Sequence, residues 1–571
     1  MGALLLPLIL TALTWLDPAS VQPGQKGVCV TEWSGGERLE IPVEVVGVLD
    51  ATGPERQMVL VRLLGERFAG SGVVAGMSGS PVYVEGKLLG AIAFGWAFAK
   101  DPLAGVTPFA TMQRIAPGEG PAPAPAPTLA ELAALAAGKV EPLAVLRGMP
   151  SREGRQPQLA AVGGLPMPTG FAHELLDTMG LQAVPAGRGD VPEGPPKPGD
   201  MLAALLVWGD ATIAAGGTVT AIDGNRIWAF GHPLYGLGDV RFPAAHARVL
   251  AIQSSYQNPF KVFAVGTSFG TLVADRPSGV LAVAGEQTAG IPVEVRVHDS
   301  TGESTWRFRI AEVPLLEPLL VTYLSSACLT ARGASAGEAS VRLAITARMA
   351  DGRAVTVRQA TRSLDAIARM SAFAGGVVGF LANSPFRHPA VASVEVQLER
   401  AEEANGATIV EAVPARTSVS PGDVLGVTVR LKPFRAPTET RRVTITVPPG
   451  TPEGSLDLIV ADGASWSDYR LRAEAVVPAD FAGQLAQAEL LESSATMVVA
   501  LEARDRGVAL PGASEPGVPP SWAATLASGL GTKALARLST AVVAADRVAG
   551  SVPLDGAVRV PLTVRQRPEV R

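Results

Sequence analysis

Gly76-Met77-Ser78-Gly79-Ser80-Pro81 is the segment whose residue types could most directly do chemistry. A serine between glycines, directly before a strand-like run, sits on a tight turn. Glycine there admits backbone angles closed to other residues and lets another molecule approach the main chain. Successive amides on such a turn can point toward one spot, which is what stabilising a developing oxyanion requires. A serine hydroxyl alone is a weak nucleophile and needs an adjacent base. The plain alternative is a Gly/Ser turn that only leads into a hairpin.

Five histidines could supply that base: His173, His232, His246, His298 and His388. His232 stands in Phe230-Gly231-His232-Pro233, just after the second strand of an expected hairpin. The flanking Gly and Pro put it at a strand end, where an imidazole can reach a cleft. His173 falls on a helix pattern and reads as a surface residue. His246 and His298 lie in strand-like runs, and His388 precedes a proline in a loop. The sequence holds no His-Glu-x-x-His, no paired-cysteine motif, no Walker loop and no dinucleotide glycine motif, so no metal and no cofactor are expected.

These residues need a scaffold, and composition bounds it. At about 150 residues per domain, 571 residues amount to roughly four domains. The 53 acidic and 48 basic residues give a formal net charge of −5, too mild for a nucleic-acid binder. With 62 Gly and 47 Pro and few long helical patterns, a β-rich protein with many turns is expected. The two cysteines, Cys29 and Cys328, exclude a disulfide-rich scaffold; one bridge or two buried thiols fit equally well. Leu4 to Leu16 is a short apolar run that suits a secretory signal better than a membrane span. Export to the periplasm or beyond is therefore expected, with no transmembrane segment in the mature chain.

The elements follow from periodicity. Val43–Leu49 and Met58–Leu63 read as strands. Pro81–Val84 and Leu88–Ala93 read as a hairpin about Glu85-Gly86-Lys87, and Gly217–Ile222 and Arg226–Phe230 as another about Asp223-Gly224-Asn225. Residues 117–127 form a Pro/Ala linker. Thr128 and Glu131 predict a capping box opening a helix over 128–137, and a second helix is expected over 363–381. From Val391 short alternating runs with regular turns suggest an immunoglobulin-like sandwich. The resulting partition is a signal segment over 1–25, a serine-bearing half over 26–115, a linker and helical insertion over 116–199, a histidine-bearing half with a β extension over 200–390, a sandwich-like unit over 391–480 and a β-rich end over 481–571.

The run from Gly72 through Gly76-Met77-Ser78-Gly79-Ser80-Pro81 to Gly86-Lys87-Leu88-Leu89-Gly90-Ala91 resembles the serine segment of the stage IV sporulation protein B (SpoIVB) peptidases. Gly217-Thr218-Val219-Thr220 through Ala229-Phe230-Gly231-His232 resembles the histidine segment of the same family. The resemblance covers roughly residues 40–112 and 200–295, under a third of the chain. The resemblance implies a mainly β fold with a trypsin-like β-barrel peptidase core, here built from two sequence segments. It implies a serine endopeptidase acting on a protein or peptide of the cell envelope, with Ser78 as nucleophile and His232 as general base. The amides of Gly76 and Ser78 would be the oxyanion donors. Two departures stand out. Ser78 precedes His232, the reverse of the family order. The family's aspartate, a short way before its serine, is replaced by Leu63. Asp101, Asp239 and Asp275 are unranked candidates to orient the histidine, and Asp223 reads as a turn residue. The missing aspartate leaves open a degenerate, non-cutting envelope protein that binds or organises partners.

Overall fold

A computed structural model describes residues 14–50, 57–68, 72–96, 100–118, 125–146, 157–332, 337–401, 405–474, 478–504, 507–510, 513–516, 521–522, 525, 536–537 and 540–566. Most of the apolar run Leu4 to Leu16 and the middle of the Pro/Ala linker lie outside the described residues.

The chain is mainly β. Strands β1 (Lys26–Glu32), β2 (Arg38–Asp50), β3 (Gln57–Leu63), β4 (Pro81–Val84), β5 (Lys87–Phe94) and β6 (Leu103–Pro108) close into a barrel in the order β1-β2-β3-β6-β5-β4. The register follows from side-chain alternation. Val59, Val61 and Leu63 point inward and are buried, as are Val43 and Val45, which face Leu63 and Val61 across the β2–β3 pair. A one-residue slip would turn each of these sets out to water. The expected hairpin is β4–β5, with Glu85 and Gly86 at positive φ in the turn. A short helix α1 (Phe109–Met112) follows β6, and α2 (Leu129–Ala136) opens with the Thr128–Glu131 capping box.

A large sheet of thirteen strands follows. It contains β7 (Gln158–Gly163), β8 (Leu181–Pro185), β9 (Met201–Gly209), β10 (Thr212–Asp223), β11 (Arg226–Ala229), β12 (Gly238–Gln253), β13 (Phe260–Arg276) and β14 (Gly279–Ala284). Six of these close on themselves. Antiparallel pairing runs β9–β12, β12–β13, β13–β14, β14–β11 and β11–β10, and β10 returns to β9. Residues 201–284 therefore form a second six-stranded ring. The expected hairpin at Asp223 to Arg226 is its β10–β11 pair. Helix α3 (Phe171–Thr178) lies between β7 and β8.

The sheet continues from β9 through β16 (Gly302–Ile310) and β15 (Ile291–Asp299) to β19 (Val391–Ala401), β17 (Ala339–Met349) and β18 (Ala354–Ser363). Helices α4 (Glu317–Thr330) and α5 (Ala366–Ala382) cover it and are buried along nearly their whole length. That burial accounts for the apolar run from Phe373 to Ala382 in α5. No helix among the described residues is long and apolar enough to cross a membrane. Val391–Ala401 pairs with β15 and β17, so this alternating run completes the large sheet and does not open a separate sandwich. The sandwich-like packing begins at Ala407. Strands from Ala407–Pro414, Val424–Pro433 and Glu439–Thr446 share one core with Gly454–Asp462, Thr496–Arg504 and Ala557–Val564. Alternation alone could not place this boundary, because a strand inside the large sheet and a sandwich strand carry the same period.

Candidate active site

The Ser78 turn sits between β3 and β4 and is clamped from outside its own barrel. Ala75 N–H donates to the Pro259 carbonyl at 2.8 Å, and Lys261 N–H to the Ala75 carbonyl at 3.0 Å. Thr218 N–H donates to the Ser78 carbonyl at 2.7 Å. The hydroxyls of Thr218 and Thr220 donate to the carbonyls of Gly76 and Gly79 at 2.9 and 2.7 Å. The partners outside the turn are on β10, on β13 or, for Pro259, on the residue just before β13. The glycines are obligatory here. Gly76 has φ 96° and Gly79 φ 98°. A Cβ on Gly79 would lie 1.9 Å from the Thr218 carbonyl oxygen.

Amide use along the turn alternates. Met77 N–H donates to Val74, Gly79 N–H to Ile92 at 2.7 Å, and Ser80 N–H to Met77. The N–H groups of Gly76 and Ser78 meet no protein acceptor among the described residues. Gly76 is buried and Ser78 half-buried. Buried amides are usually paired, so two unused donors flanking Met77 form the kind of preorganised pair that an oxyanion accepts from.

His232 sits in the loop between β11 and β12 of the second ring, half-buried. This loop is clamped in return by the first barrel. Thr107 Oγ1 on β6 donates to the Gly231 carbonyl at 2.6 Å. A Cβ on Gly231 would lie 2.9 Å from the Ala91 Cβ and 3.1 Å from the Ile92 carbonyl oxygen, the atom that accepts Gly79 N–H. The serine turn and the histidine loop thus meet at one strand end of β5. Phe230 is buried at φ 69°, a conformation that bulky residues rarely adopt and that costs on the order of 1–3 kcal/mol. Its N–H donates to the Thr218 carbonyl at 3.2 Å, on the same strand that holds Ser78.

His232 Nδ1 lies 2.9 Å from the Pro233 carbonyl oxygen. A carbonyl only accepts, so Nδ1 carries the proton in this contact and the neutral ring has its lone pair on Nε2. The three candidate carboxylates part ways. Asp275 is fully buried at the end of β13 and accepts the amides of Leu234, Tyr235, Gly236 and Leu237 at 2.8, 2.7, 2.7 and 3.3 Å. Burial pushes its pKa above the ordinary carboxylate value, against the pull of those four amides. Asp275 therefore fixes the main chain immediately after His232-Pro233. Asp239 pairs with Arg276 at 2.9 Å and accepts Gly118 N–H. Asp101 is exposed in the segment before β6. Leu63 is buried in the first barrel's core. Asp223 closes the β10–β11 turn.

The other histidines lie elsewhere. His173 pairs with Asp177 on α3, His246 packs against Phe269, His298 is exposed on β15, and His388 stacks near Phe481. Cys29 and Cys328 are unpaired and buried. No cluster of metal-ligating side chains is present among the described residues. Sequence reasoning missed the roles of Thr107, Thr218 and Thr220. For Thr218 and Thr220 the signal available was threonine at alternate positions of an otherwise apolar stretch of β10; Thr107, a lone threonine on β6, gave none. No family model matches the chain, and no curated protein or solved structure matches it either.

Proposed function

We propose that the chain is an exported serine endopeptidase of SpoIVB type that cleaves a protein of the cell envelope. The observation that carries this reading is the pair of unused amides at Gly76 and Ser78, on a turn locked against the loop of His232. The two six-stranded rings, each lending one loop to the junction, are read as a trypsin-like core with the serine-bearing barrel first. Triads are defined by geometry, so their order along the chain is free. The sheets beyond Ala407 are read as an immunoglobulin-like spacer.

In this reading Ser78 Oγ attacks the scissile carbonyl carbon and its proton passes to His232 Nε2. The carbonyl oxygen, now an anion, accepts from the Gly76 and Ser78 amides. The imidazolium returns the proton to the leaving amine, and water releases the acyl group by the same route. The Pro233 carbonyl takes the part of the orienting carboxylate, holding the proton on Nδ1. Asp275 supports this at one remove by fixing residues 234–237.

Labelling of the purified chain with a fluorophosphonate tests this. Wild type is expected to label, and Ser78→Ala and His232→Ala to lose labelling while remaining folded. Folded wild type that does not label, with peptides also left uncut, overturns it. One observation favours a second reading. Leu63 fills the family's aspartate position as a core residue, which suits a non-cutting envelope protein that uses the same junction to bind partners.

A further inference from the structure

The junction buries a lysine that the mechanism above does not use. Lys261, on β13, has no exposed surface. An ammonium group removed from water is costly unless its charge is met. Its Nζ donates to Thr31 Oγ1 at 2.9 Å, and Ser80 Oγ donates to the same oxygen at 2.9 Å. The titratable groups facing it are Glu32 and Cys29, both on β1. The Glu32 carboxylate accepts the amides of Met201 and Val249 at 2.9 and 2.7 Å and supplies the opposing charge. Burial pushes the Cys29 thiol up to about 12, so it stays neutral. Burial also brings Lys261 down to about 8, against the pull of Glu32.

The same residue reaches the Ser78 turn at both ends. Its own N–H bonds the Ala75 carbonyl. A Cβ on Gly76 would lie 2.9 Å from Lys261 Cδ and 3.2 Å from its Cβ, so the alkyl stem runs directly against Gly76. At the far end Thr31 links its ammonium to Ser80. We propose that Lys261 is a positioning residue for the Ser78 turn. Its stem supports Gly76 and its ammonium holds Ser80 through Thr31, which keeps the Gly76 and Ser78 amides directed at one point. The catalytic consequence rests on the acyl-transfer reading; the hold on the turn does not.

Two measurements on Lys261→Met and Thr31→Val separate these. Deuterium uptake of the 73–81 segment reports the turn itself, and fluorophosphonate kinetics report its use. Lys261→Met is expected to raise uptake in 73–81 and to slow the phosphonylation step by about tenfold to a hundredfold, with reversible affinity for the probe little changed. Thr31→Val removes the oxygen that joins the ammonium to Ser80 but leaves the alkyl stem against Gly76, so a smaller change in the same direction is expected. A salt-bridge control at the surface, Lys139→Met, leaves both readouts as in wild type. Wild-type uptake and wild-type phosphonylation in Lys261→Met overturn the proposal. Should Lys261→Met fail to fold, Thr31→Val decides by the same readouts. Should folded wild type neither label nor cut peptides, the acyl-transfer reading fails, and uptake alone decides whether Lys261 holds the turn.

Discussion

His232 and His388 are each followed by proline, and each sets its Nδ1 2.9 Å from that proline's carbonyl oxygen. The ring contact is therefore a local property of the His-Pro dipeptide. What surrounds the two rings differs. His388 packs 5.4 Å from the Phe481 ring, and the Arg353 guanidinium lies 5.0 Å from the same ring. His232 follows Phe230 and Gly231, both at φ 69°, on a loop pinned to β5 and β6 of the other barrel. Only His232 has a serine turn with two unused amides beside its loop. A fixed tautomer comes cheaply and locally; a reaction partner has to be brought by the fold.

Exchanging function across that pair gives the largest expected effect. His232→Gln is expected to slow fluorophosphonate labelling on the order of a hundredfold to ten-thousandfold, whereas His388→Gln leaves it unchanged. Equal loss in both would show that the shared ring contact, and not its surroundings, matters. Gly79→Ala attacks the surroundings alone. Its Cβ meets the Thr218 carbonyl at 1.9 Å, so the turn must move off β10. Labelling is expected to disappear and denaturant stability to fall by about 3 kcal/mol. Asp275→Asn leaves the His232-Pro233 contact in place but removes one of two acceptor oxygens from the amides of residues 234–237. A loss of about 1–3 kcal/mol is expected in urea unfolding, with slower labelling. The corresponding loop after His388 has no such carboxylate among the described residues, so His388 has no counterpart to this effect.

The smallest effect sharpens any pH profile. Glu317, at the start of α4, is fully buried with one carboxylate oxygen unpartnered among the described residues. Burial, and then Glu312, push it up to about 8 from an ordinary value of 4.5. The folded chain therefore holds this proton where the unfolded chain releases it. Stability from this group is full below the unfolded value of 4.5 and is lost as pH rises through about 8. Glu317→Gln is expected to flatten that fall in urea midpoints taken across the window. Labelling rates compared between wild type and Glu317→Gln then separate proton transfer at His232 from loss of folded protein.

Much of the local structure was legible in residue order. The Thr128–Glu131 box caps its helix, and the Gly86 and Gly224 turns make their hairpins. The glycines around Ser78 announced a turn that glycine alone can take, and two of them have positive φ. Those features depend on neighbours a few residues apart. The site's second half was not legible in this way. Thr218, Thr220 and Thr107 look like ordinary strand threonines until their hydroxyls meet carbonyls more than a hundred residues away in sequence. Asp275 could not be separated from Asp101 and Asp239, because its four acceptor bonds run to a loop on another strand pair. The sandwich boundary slipped for the same reason, since β19 alternates like its successors and only its partners differ.

Residue order by itself determined the turns, the strand periods, the capped helix and the tautomer-fixing His-Pro contact, because each rests on backbone sterics or hydrogen bonds within one short stretch. Tertiary structure alone decided that two rings close, that each clamps the other's loop, and that a buried lysine lies against the serine turn. Those depend on carbonyls, amides and a charge brought together from distant segments, and no local pattern encodes a partner that far along the chain.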